Sequence, residues 1–522
     1  MISRPRLVGM LVSAVVCALA FLPPGTEAAA PVGGITEIPL HSNIVDIAPG
    51  PEGDLWFTEN LHERRIGKIA PNGEVTKFKM LPKGVEPSDL VTGADGNVWF
   101  TYDRGRGGFS GGGVGRITPA GAVTLFPEPP QIHGSPFEIV AGPDGNLWFD
   151  HAAILTPTGQ AIGRITTAGE ITEFSAGLTA NSSVSNLTAG TDGNVWFADE
   201  SFSPAIGRVT PEGQITEFPG LAPEEYPIIF GPTPTADGSL FFSANEAHQI
   251  AVERITPTGE IIRLQQGLNR KTFRVGPFAV AADGNLWFRV ERQLPAVKTS
   301  RVGGPTAIAR MTPSGTVTEF SRCLRNLPEF AGPEGLTEGP EGDIWFNTRT
   351  SGDVAHANVA STPAIGRVTP AGQITEYRYG LDQESEPDNL TVAGGKIWFI
   401  DRRNEAIGEL APPRGPANTF LAWVPYRHKR LLVETIVPGP GKVEIKETGV
   451  ITHGHREYVP GLVWKTLSAP ACGPVSTPLL FYPKLQHLLE RRHTLRLALL
   501  VTFKPRGGQP FSRRISVAVE AG

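Results

Sequence analysis

Gly142-Pro143-Asp144-Gly145-Asn146-Leu147-Trp148-Phe149 decides the fold of this chain, because variants of it recur eight times. The copies span Gly50–Phe57, Gly93–Phe100, Gly142–Phe149, Gly190–Phe197, Ala236–Phe242, Ala282–Phe288, Gly339–Phe346 and Gly394–Phe399. A second phrase follows, clearest at Ile162–Phe174, Ile206–Phe218 and Ile365–Tyr377. The copies are mostly 43 to 49 residues apart. That period indicates an all-β propeller with one four-stranded blade per repeat.

Local signals within one repeat predict four short strands. In the third repeat the strands fall at Glu138–Ala141, Leu147–Phe149, Ile162–Thr166 and Glu170–Phe174. An Asp-Gly pair between two apolar runs favours a tight hairpin turn. Because an aromatic pair in every repeat is more often core than ligand-binding surface, we expect Trp148 and Phe149 to pack between adjacent blades.

The two ends of the array predict a closed ring. The last repeat ends at Ile407–Ala411 without an Ile-Thr-Glu-Phe phrase, whereas Ile35–Ile38 stands alone before the first repeat. We expect Ile35–Ile38 to form the outer strand of the last blade, which removes the open edges that promote aggregation. The prediction is an eight-bladed propeller over residues 33–411, with seven blades as the alternative if one repeat is degenerate.

Residues 1–30 have the pattern of a signal peptide. Arg4 and Arg6 precede an apolar run, Leu7–Leu22, and small residues suited to cleavage follow at Ala28–Ala30. The run is short for a membrane span. We predict a secreted protein, extracellular or in the periplasm and cell envelope, with no transmembrane segment in the mature chain. An uncleaved anchor is the alternative.

The cysteines do not suggest a disulfide framework. Cys17 lies in the leader, and Cys323 and Cys472 are far apart in sequence. Two distant thiols do not form the regular cysteine pattern of disulfide-rich secreted domains. We therefore expect the fold to be stabilised by packing alone.

The repeats stop at a proline-rich linker, residues 412–416. Residues 417–522 alternate apolar and polar positions, and Leu495–Phe503 with Ile515–Val519 predict a final hairpin, which together favour a small immunoglobulin-like β-sandwich. The formal charge is +10 from residue 414 onward and −15 for residues 1–413. The asymmetry favours docking of one domain on the other or contact with an anionic cell envelope. Export argues against a nucleic-acid partner.

The two repeated phrases together resemble those of the virginiamycin B lyases, or streptogramin lyases, over residues 34–411. The resemblance implies a magnesium-dependent carbon–oxygen lyase and a role in antibiotic resistance. Such a lyase opens type B streptogramins, which are cyclic depsipeptides, by elimination across the ester bond. In that family, a Pro-His-x-Ile phrase in two consecutive late blades supplies the base and the metal contacts. A glutamate precedes the proline of the final blade.

Carried onto this sequence, the two late phrases contain acids where the family has histidine. The final blade reads Glu386-Pro387-Asp388-Asn389-Leu390, and the blade before it carries Glu334 in the histidine place. The resemblance implies that Glu386 and Asp388 are catalytic and that Glu334 binds substrate. It also implies that Glu386 and Glu334 are oxygen ligands for Mg²⁺ or Ca²⁺. A carboxylate acts as such a base only if burial raises its pKa. The other blades carry Ser88, Phe137, Ile228 and Phe278 in the histidine place.

Histidines collect in the longer connections, which we expect to emerge on one face of the ring. The six in the repeats are His41, His62, His133, His151, His248 and His356. We predict that His133 and His356 help to bind substrate at this face. The alternative is that these connections are polar only because loops are polar by default.

A basic and an acidic residue also recur together in the outer strands of each repeat. Arg208 of Ile-Gly-Arg-Val-Thr and Glu217 of Ile-Thr-Glu-Phe are one such pair. We expect these residues to form cross-strand ion pairs at the rim.

Three functions remain open for a chain that we expect to be monomeric. The first is a metal-dependent lyase acting on a small cyclic ester. The second is a non-catalytic extracellular propeller that binds a ligand, a cell-envelope polymer or a protein partner. The third is a metal-dependent hydrolase of the lactonase kind. No Gly-x-Ser-x-Gly elbow points to nucleophilic catalysis.

Overall fold

The Asp-Gly-Asn turns set the spacing of the strands. In the third repeat the carboxylate of Asp144 accepts the N–H of Asn146 and the indole N–H of Trp148, both at 3.1 Å. Gly145 has a φ of 79°, which a residue without a side chain adopts without strain. The same Asp–Trp hydrogen bond joins Asp95 to Trp99. One repeated turn therefore both reverses the chain and orients the tryptophan of the next strand.

The computed structural model describes residues 31–60, 63–104, 111–128, 135–150, 160–201, 203–219, 230–246, 249–264, 272–293, 303–321, 324, 333–348, 363–382, 384–424, 432–452, 455–457, 465–478, 487, 490–491 and 494–520. These residues fall into two compact units, 34–412, and 413–522 together with 31–33. The predicted signal segment, residues 1–30, lies outside the described residues. Within them, no helix has the length and apolar character needed to cross a membrane.

Residues 34–412 form all-β structure made of four-stranded antiparallel sheets. The strands of the first half are β1 (Thr36–Pro39), β2 (Ile44–Pro49), β3 (Leu55–Glu59), β4 (Arg65–Ile69), β5 (Val75–Lys77), β6 (Val85–Thr92), β7 (Val98–Arg104), β8 (Gly112–Ile117), β9 (Val123–Pro127), β10 (Ile139–Ala141), β11 (Leu147–Asp150), β12 (Ile162–Ile165), β13 (Ile171–Phe174), β14 (Val184–Ala189), β15 (Val195–Asp199), β16 (Ala205–Val209) and β17 (Ile215–Pro219).

The second half of this unit repeats the same order. Its strands are β18 (Phe230–Pro234), β19 (Leu240–Glu246), β20 (Gln249–Ile255), β21 (Ile261–Arg263), β22 (Thr272–Val280), β23 (Leu286–Gln293), β24 (Gly303–Met311), β25 (Val317–Phe320), β26 (Pro333–Glu338), β27 (Ile344–Thr348), β28 (Ala364–Val368), β29 (Ile374–Tyr377), β30 (Pro387–Ala393), β31 (Lys396–Asp401) and β32 (Ala406–Leu410).

Successive strands along the chain form each sheet, from β2–β5 to β26–β29, and the last sheet has the order β1-β32-β31-β30. In that sheet Glu37 lies opposite Gly408 and Ile38 opposite Ile407. The first strand of each sheet contacts the first strand of the next, and β30 contacts β2. The sheets thus meet through their first strands.

The recurring aromatic residues pack between neighbouring sheets, as the sequence predicts. Trp56 of the first sheet belongs to the same buried cluster as Leu90 and Phe100 of the second. Trp56 also stacks on Phe78, with ring centroids 5.3 Å apart. A Cβ on Gly67 would overlap the ring of Phe57, so the glycine of Ile-Gly-Arg makes room for that ring.

The predicted Arg–Glu ion pair is wrong in the fourth sheet. Arg208 lies opposite Thr216 and Glu217 opposite Gly207, and side chains of successive strand residues point to opposite faces. Arg208 instead lies 5.5 Å from the ring centroid of Trp196 and donates to a carbonyl of the next sheet at 2.7 Å. The arginine therefore links neighbouring sheets.

Residues 413–522 form a second set of antiparallel strands. These are β33 (Leu421–Trp423), β34 (Leu432–Val437), β35 (Gly441–Thr452), β36 (His455–Glu457), β37 (Lys465–Ala469), β38 (Gly473–Pro478), β39 (Thr494–Pro505) and β40 (Phe511–Glu520). One sheet has the order β33-β34-β38, and the other has β36-β35-β39-β40 with β37 also paired to β35. The predicted final hairpin is confirmed, with Leu495 opposite Val519 and Phe503 opposite Phe511.

The expectation that packing alone stabilises the fold is wrong. Cys472 is disulfide-bonded, and its partner lies outside the described residues. Sequence separation does not exclude a disulfide, because bonding depends on the distance between the two residues in the folded chain.

Candidate functional site

The first strand of most sheets contains an irregularity that frees backbone groups from the ladder. The pairing register shifts between Ile44 and Ile47 in β2, and between Pro87 and Leu90 in β6. Comparable shifts occur in β14, β18, β22, β26 and β30. A bulge leaves its extra residue unpaired, so the N–H and C=O groups there need other partners.

Threonines of the second strand supply these partners in the first two sheets. The hydroxyl of Thr58 accepts the N–H of Asp46 at 3.2 Å and donates to the carbonyl of Ser88 in the next sheet at 2.8 Å. Thr101 bonds in the same way to the N–H of Asp89 at 3.2 Å and to a carbonyl of the third sheet at 3.0 Å. Both threonines are fully buried. One hydroxyl therefore holds the bulge and joins two sheets.

Three acids occupy the same place in three consecutive sheets: Asp46, Asp89 and Glu138 each immediately precede the residue opposite the repeated phenylalanine. Each carboxylate accepts a backbone N–H from the following sheet. The donors are Leu90 at 3.1 Å, Ile139 at 2.8 Å and Leu187 at 3.0 Å, respectively. The side-chain amide of Asn389, in the last sheet, donates to Asp46. The acids thus connect the first strands, here called the inner strands, of neighbouring sheets.

Burial and neighbouring acids raise the pKa of two of these carboxyls. Burial, and after it the charge of Asp150, raises the pKa of Glu138 to about 7, while N–H donors of the fourth sheet oppose the rise and Glu200 adds to it. Burial, and after it Asp46, raises the pKa of Asp89 well above its usual range, with Glu138 adding to the effect. Within the described residues, no lysine or arginine forms an ion pair with the three acids. Glu138 therefore gains and loses its proton near neutral pH.

The three acids line a cavity of about 540 Å³ bounded by the inner strands of the first six sheets. Aromatic side chains line it as well, namely Phe137, Phe230 and Phe278. Phe137 is 63% exposed, which is unusual for a phenylalanine beside the inner strand of a sheet. The cavity thus combines an acidic wall with an aromatic one.

The predicted catalytic acids lie at the last sheet and do not line this cavity. Asp388 forms an ion pair with Arg402. The N–H of Glu386 donates to the buried carboxylate of Asp401 at 2.9 Å. Asp388 lies on β30 and Glu386 immediately precedes that strand, and neither residue lines the cavity.

The other predicted site residues are only partly described. Glu334 belongs to β26, and its side chain lies outside the described residues. His133 and His356 also lie outside them, as do His62, His151 and His248. His41 is exposed in the connection between β1 and β2. The proposed role of His133 and His356 in substrate binding stays a prediction.

The assignment of Phe278 and Ile228 to the histidine place is wrong, because strand pairing puts other residues there. In the sixth sheet Phe278 lies opposite Phe288, so Gly276 occupies the place that Ser88 holds in the second sheet. In the fifth sheet Thr233 lies opposite Phe241, which puts Phe230 there instead of Ile228. Cross-strand pairing determines which residue occupies the histidine place. Bulges shift the proline of each repeat relative to that pairing, so alignment on the proline gives the wrong residue.

The described residues contain no complete divalent-metal site, and the side chain of Glu334, one of the two predicted ligands, lies outside them. They hold no group of three or more His, Cys, Asp or Glu side chains placed to bind a metal ion. The carboxylate of Asp388 is already engaged by Arg402. A hard divalent cation needs several oxygen ligands, so no chemistry is assigned to a metal here.

Comparison with known proteins agrees with the repeat pattern. Residues 47–294 match the sequence profile of the virginiamycin B lyase family.

Over these residues the chain is similar to the virginiamycin B lyase family.

Two solved structures of virginiamycin B lyase-like propellers are similar to the chain. A streptogramin B lyase is 23% identical with a TM-score of 0.44, over 73% of this chain and 97% of that chain. A catalytically inactive virginiamycin B lyase from Staphylococcus aureus with quinupristin is 25% identical with a TM-score of 0.43, over 73% and 99%. No curated protein matches the chain.

Sequence reasoning missed Asp46 and Asp89 and placed Glu138 only at the start of a predicted strand. A signal was present, because each of the three lies ten residues before a repeated tryptophan, Trp56, Trp99 or Trp148. Aligning the repeats on the tryptophan instead of the proline would have placed the acids together in this virginiamycin B lyase-like propeller.

We predict that Glu138→Gln stabilises the protein at high pH. An acid whose pKa is raised in the folded state ionises less readily when the protein is folded. Its contribution to stability is present below pH 4.5, the ordinary pKa of the group, and is lost as the pH rises to about 7. The variant should exceed wild type by ~1–3 kcal/mol at about pH 8 and match it at about pH 4, because one pKa unit is worth ~1.4 kcal/mol. Urea unfolding followed by tryptophan fluorescence measures the difference.

Glu74→Gln is the matched control, because Glu74 is an exposed turn residue with the same charge. This control should show no pH-dependent gain. A Glu138→Gln protein that is less stable than wild type at both pH values would contradict the raised pKa.

Proposed function

We propose that this chain is an exported, eight-bladed propeller of the virginiamycin B lyase kind that binds a small organic molecule in its central cavity. The observation that carries the proposal is the cavity of about 540 Å³, lined by three acids and three phenylalanines. Its volume falls in the range of about 300–1,000 Å³ that is typical of small-molecule sites. Convergent polar groups beside an apolar wall are also typical of such sites.

The strand pairing supports eight blades and closure by the N-terminal strand. β1 pairs with β32 in the last sheet, and inner strands are in contact from β2 through to β30 and back to β2. We further propose a propeller domain over residues 33–411, a linker at 412–416 and an immunoglobulin-like sandwich at 417–522. The two antiparallel sheets of the C-terminal unit support the last assignment.

Export is supported by the basic and apolar pattern of residues 1–30 and by the disulfide at Cys472, since disulfides persist mainly in oxidising compartments. We predict that the chain expressed with its leader is recovered outside the cytoplasm with an N-terminus near residue 31. Peptide mass mapping should find Cys472 unreactive toward iodoacetamide until a reductant is added. A leader-containing chain with a freely alkylated Cys472 would contradict export.

Binding in the cavity is tested by filling it. Ser88 is a half-buried residue of the lining, so Ser88→Trp should occupy the space without disturbing the hydrogen bond to its carbonyl. In ligand-observed NMR with a mixture of small aromatic fragments, we expect binding signals from wild type. Ser88→Trp should weaken the affinity for these fragments at least about tenfold. Fragments that bind both proteins equally would place binding elsewhere and contradict the proposal.

A second function, carbon–oxygen elimination, is favoured by one observation. The pKa of Glu138, about 7, suits a general base near neutral pH. Such a base would take the proton α to the carbonyl, and the carbon–oxygen bond at the neighbouring carbon would break. The ester leaves as a free carboxylate beside a new double bond. The family resemblance places the base instead at Glu386, with Asp388 beside it and Glu334 as a metal ligand, and that assignment stays an alternative.

The elimination is tested with a type B streptogramin, with added Mg²⁺ or with a chelator. A linear product of unchanged mass would support a lyase, and loss of that product with chelator would establish its dependence on a metal. Abolition by Glu138→Gln alone would assign the base to Glu138, and abolition by Glu386→Gln alone would assign it to Glu386. A product heavier by one water would indicate a hydrolase, and an unchanged antibiotic would contradict the lyase function and leave binding.

A further inference from the structure

We propose that the central cavity selects an organic ammonium ion attached to an apolar or aromatic body. The inference rests on the proposed small-molecule site and names its ligand class. It begins from the shape and lining of the cavity, in which one wall is carboxylate and the other is aromatic. A ligand that matches both walls must carry a positive charge at one end and an apolar group at the other.

The acidic wall lacks a positive partner within the described residues. Asp46, Asp89 and Glu138 accept only N–H groups of the backbone and of Asn389, and none forms an ion pair. Besides burial, the neighbouring carboxylates of Asp46 and, more weakly, Glu138 raise the pKa of Asp89, so like charges meet at this wall. A cation placed here would favour the ionised form of Asp89 and Glu138, because an opposite charge favours ionisation.

The aromatic wall offers a surface that binds both an apolar body and a cation. Phe137 is adjacent to Glu138 in the chain and is 63% exposed. Phe230 and Phe278 are half-buried and line the same cavity. A phenylalanine face attracts an organic cation through its quadrupole by about 0.5–2 kcal/mol, and it also buries hydrocarbon. The exposed ring of Phe137, next to Glu138, is therefore better explained by contact with a ligand than by packing within the protein.

Other ligand classes fit less well. A bare divalent metal needs several converging ligands, and the described residues hold no such group. An anion would meet three acids and no cation. The formal charge of −15 over residues 1–413 also draws cations toward this part of the chain. An organic amine is the class that satisfies both the charge and the apolar surface.

The test compares 2-phenylethylamine with its neutral analogue 2-phenylethanol, using the purified full mature chain and ligand-observed NMR or calorimetry. At about pH 8 we expect the amine to bind at least about tenfold more tightly than the alcohol. At about pH 5.5 the preference should shrink, because Glu138, whose pKa is about 7, becomes protonated there and loses its negative charge.

Two variants separate charge from folding. Glu138→Gln keeps an acceptor for the N–H of Leu187 and removes the charge, so amine affinity should fall about tenfold while alcohol affinity stays. Phe137→Leu changes only an exposed ring and should weaken both probes. Glu74→Gln, on an exposed turn, should change neither.

The results with the two probes distinguish a cavity that does not select cations from a cavity that does not bind small molecules. If the alcohol binds as tightly as the amine and Ser88→Trp blocks both, the cavity binds small molecules but does not select a cation, and the inference is overturned alone. If neither probe binds, or if Ser88→Trp leaves both affinities unchanged, the cavity is not a site for this class, and the inference falls together with the location of the proposed site.

Discussion

Burial of one aromatic pair between neighbouring sheets is the constraint on which this structure depends. A four-stranded sheet cannot cover its own apolar faces, so the tryptophan of each repeat needs the next sheet and the phenylalanine needs the preceding one. Trp196 is fully buried and stacks on Phe218 with ring centroids 5.6 Å apart. Arg208 then lies over both rings and donates to the following sheet. The turn, glycine and arginine of the repeat all serve this one contact.

A second constraint acts on the inner strands. Their bulges release N–H groups that a regular ladder would satisfy, and buried backbone groups must find partners. Asp46, Asp89 and Glu138 provide acceptors across the junction to the next sheet. The same carboxylates line the cavity. Residues that hold the inner strands together are therefore also the ones that give the cavity its charge, which couples the stability of this region to its ionisation.

The fold was largely predictable from the repeat, whereas the site was not. The repeated phrases predicted the strands, the turns and the pairing of Ile35–Ile38 with the last sheet, because local turn chemistry and period fix these features. The cavity lining depends on the register of strand pairing, which bulges and turn lengths alter, so counting from the proline of each repeat does not give it. In the last sheet, Thr391 lies opposite Trp398, seven residues away, whereas Val91 and Trp99 are eight apart. The shorter turn at Gly394–Gly395 thus puts Asn389, not Asp388, in the place of the acids.

The pairing of β1 with β32 has a consequence for how the chain folds. β1 and β32 are separated in sequence by nearly the whole propeller, and they must meet to complete one sheet. Their pairing is therefore among the least local contacts in the chain. The entropy of closing such a loop grows only logarithmically with length, but the rate of folding falls as contacts become less local. A chain emerging from its N-terminus therefore carries β1 as an unpaired edge until synthesis reaches β32. Early association of that edge with other chains is the kinetic hazard of this architecture.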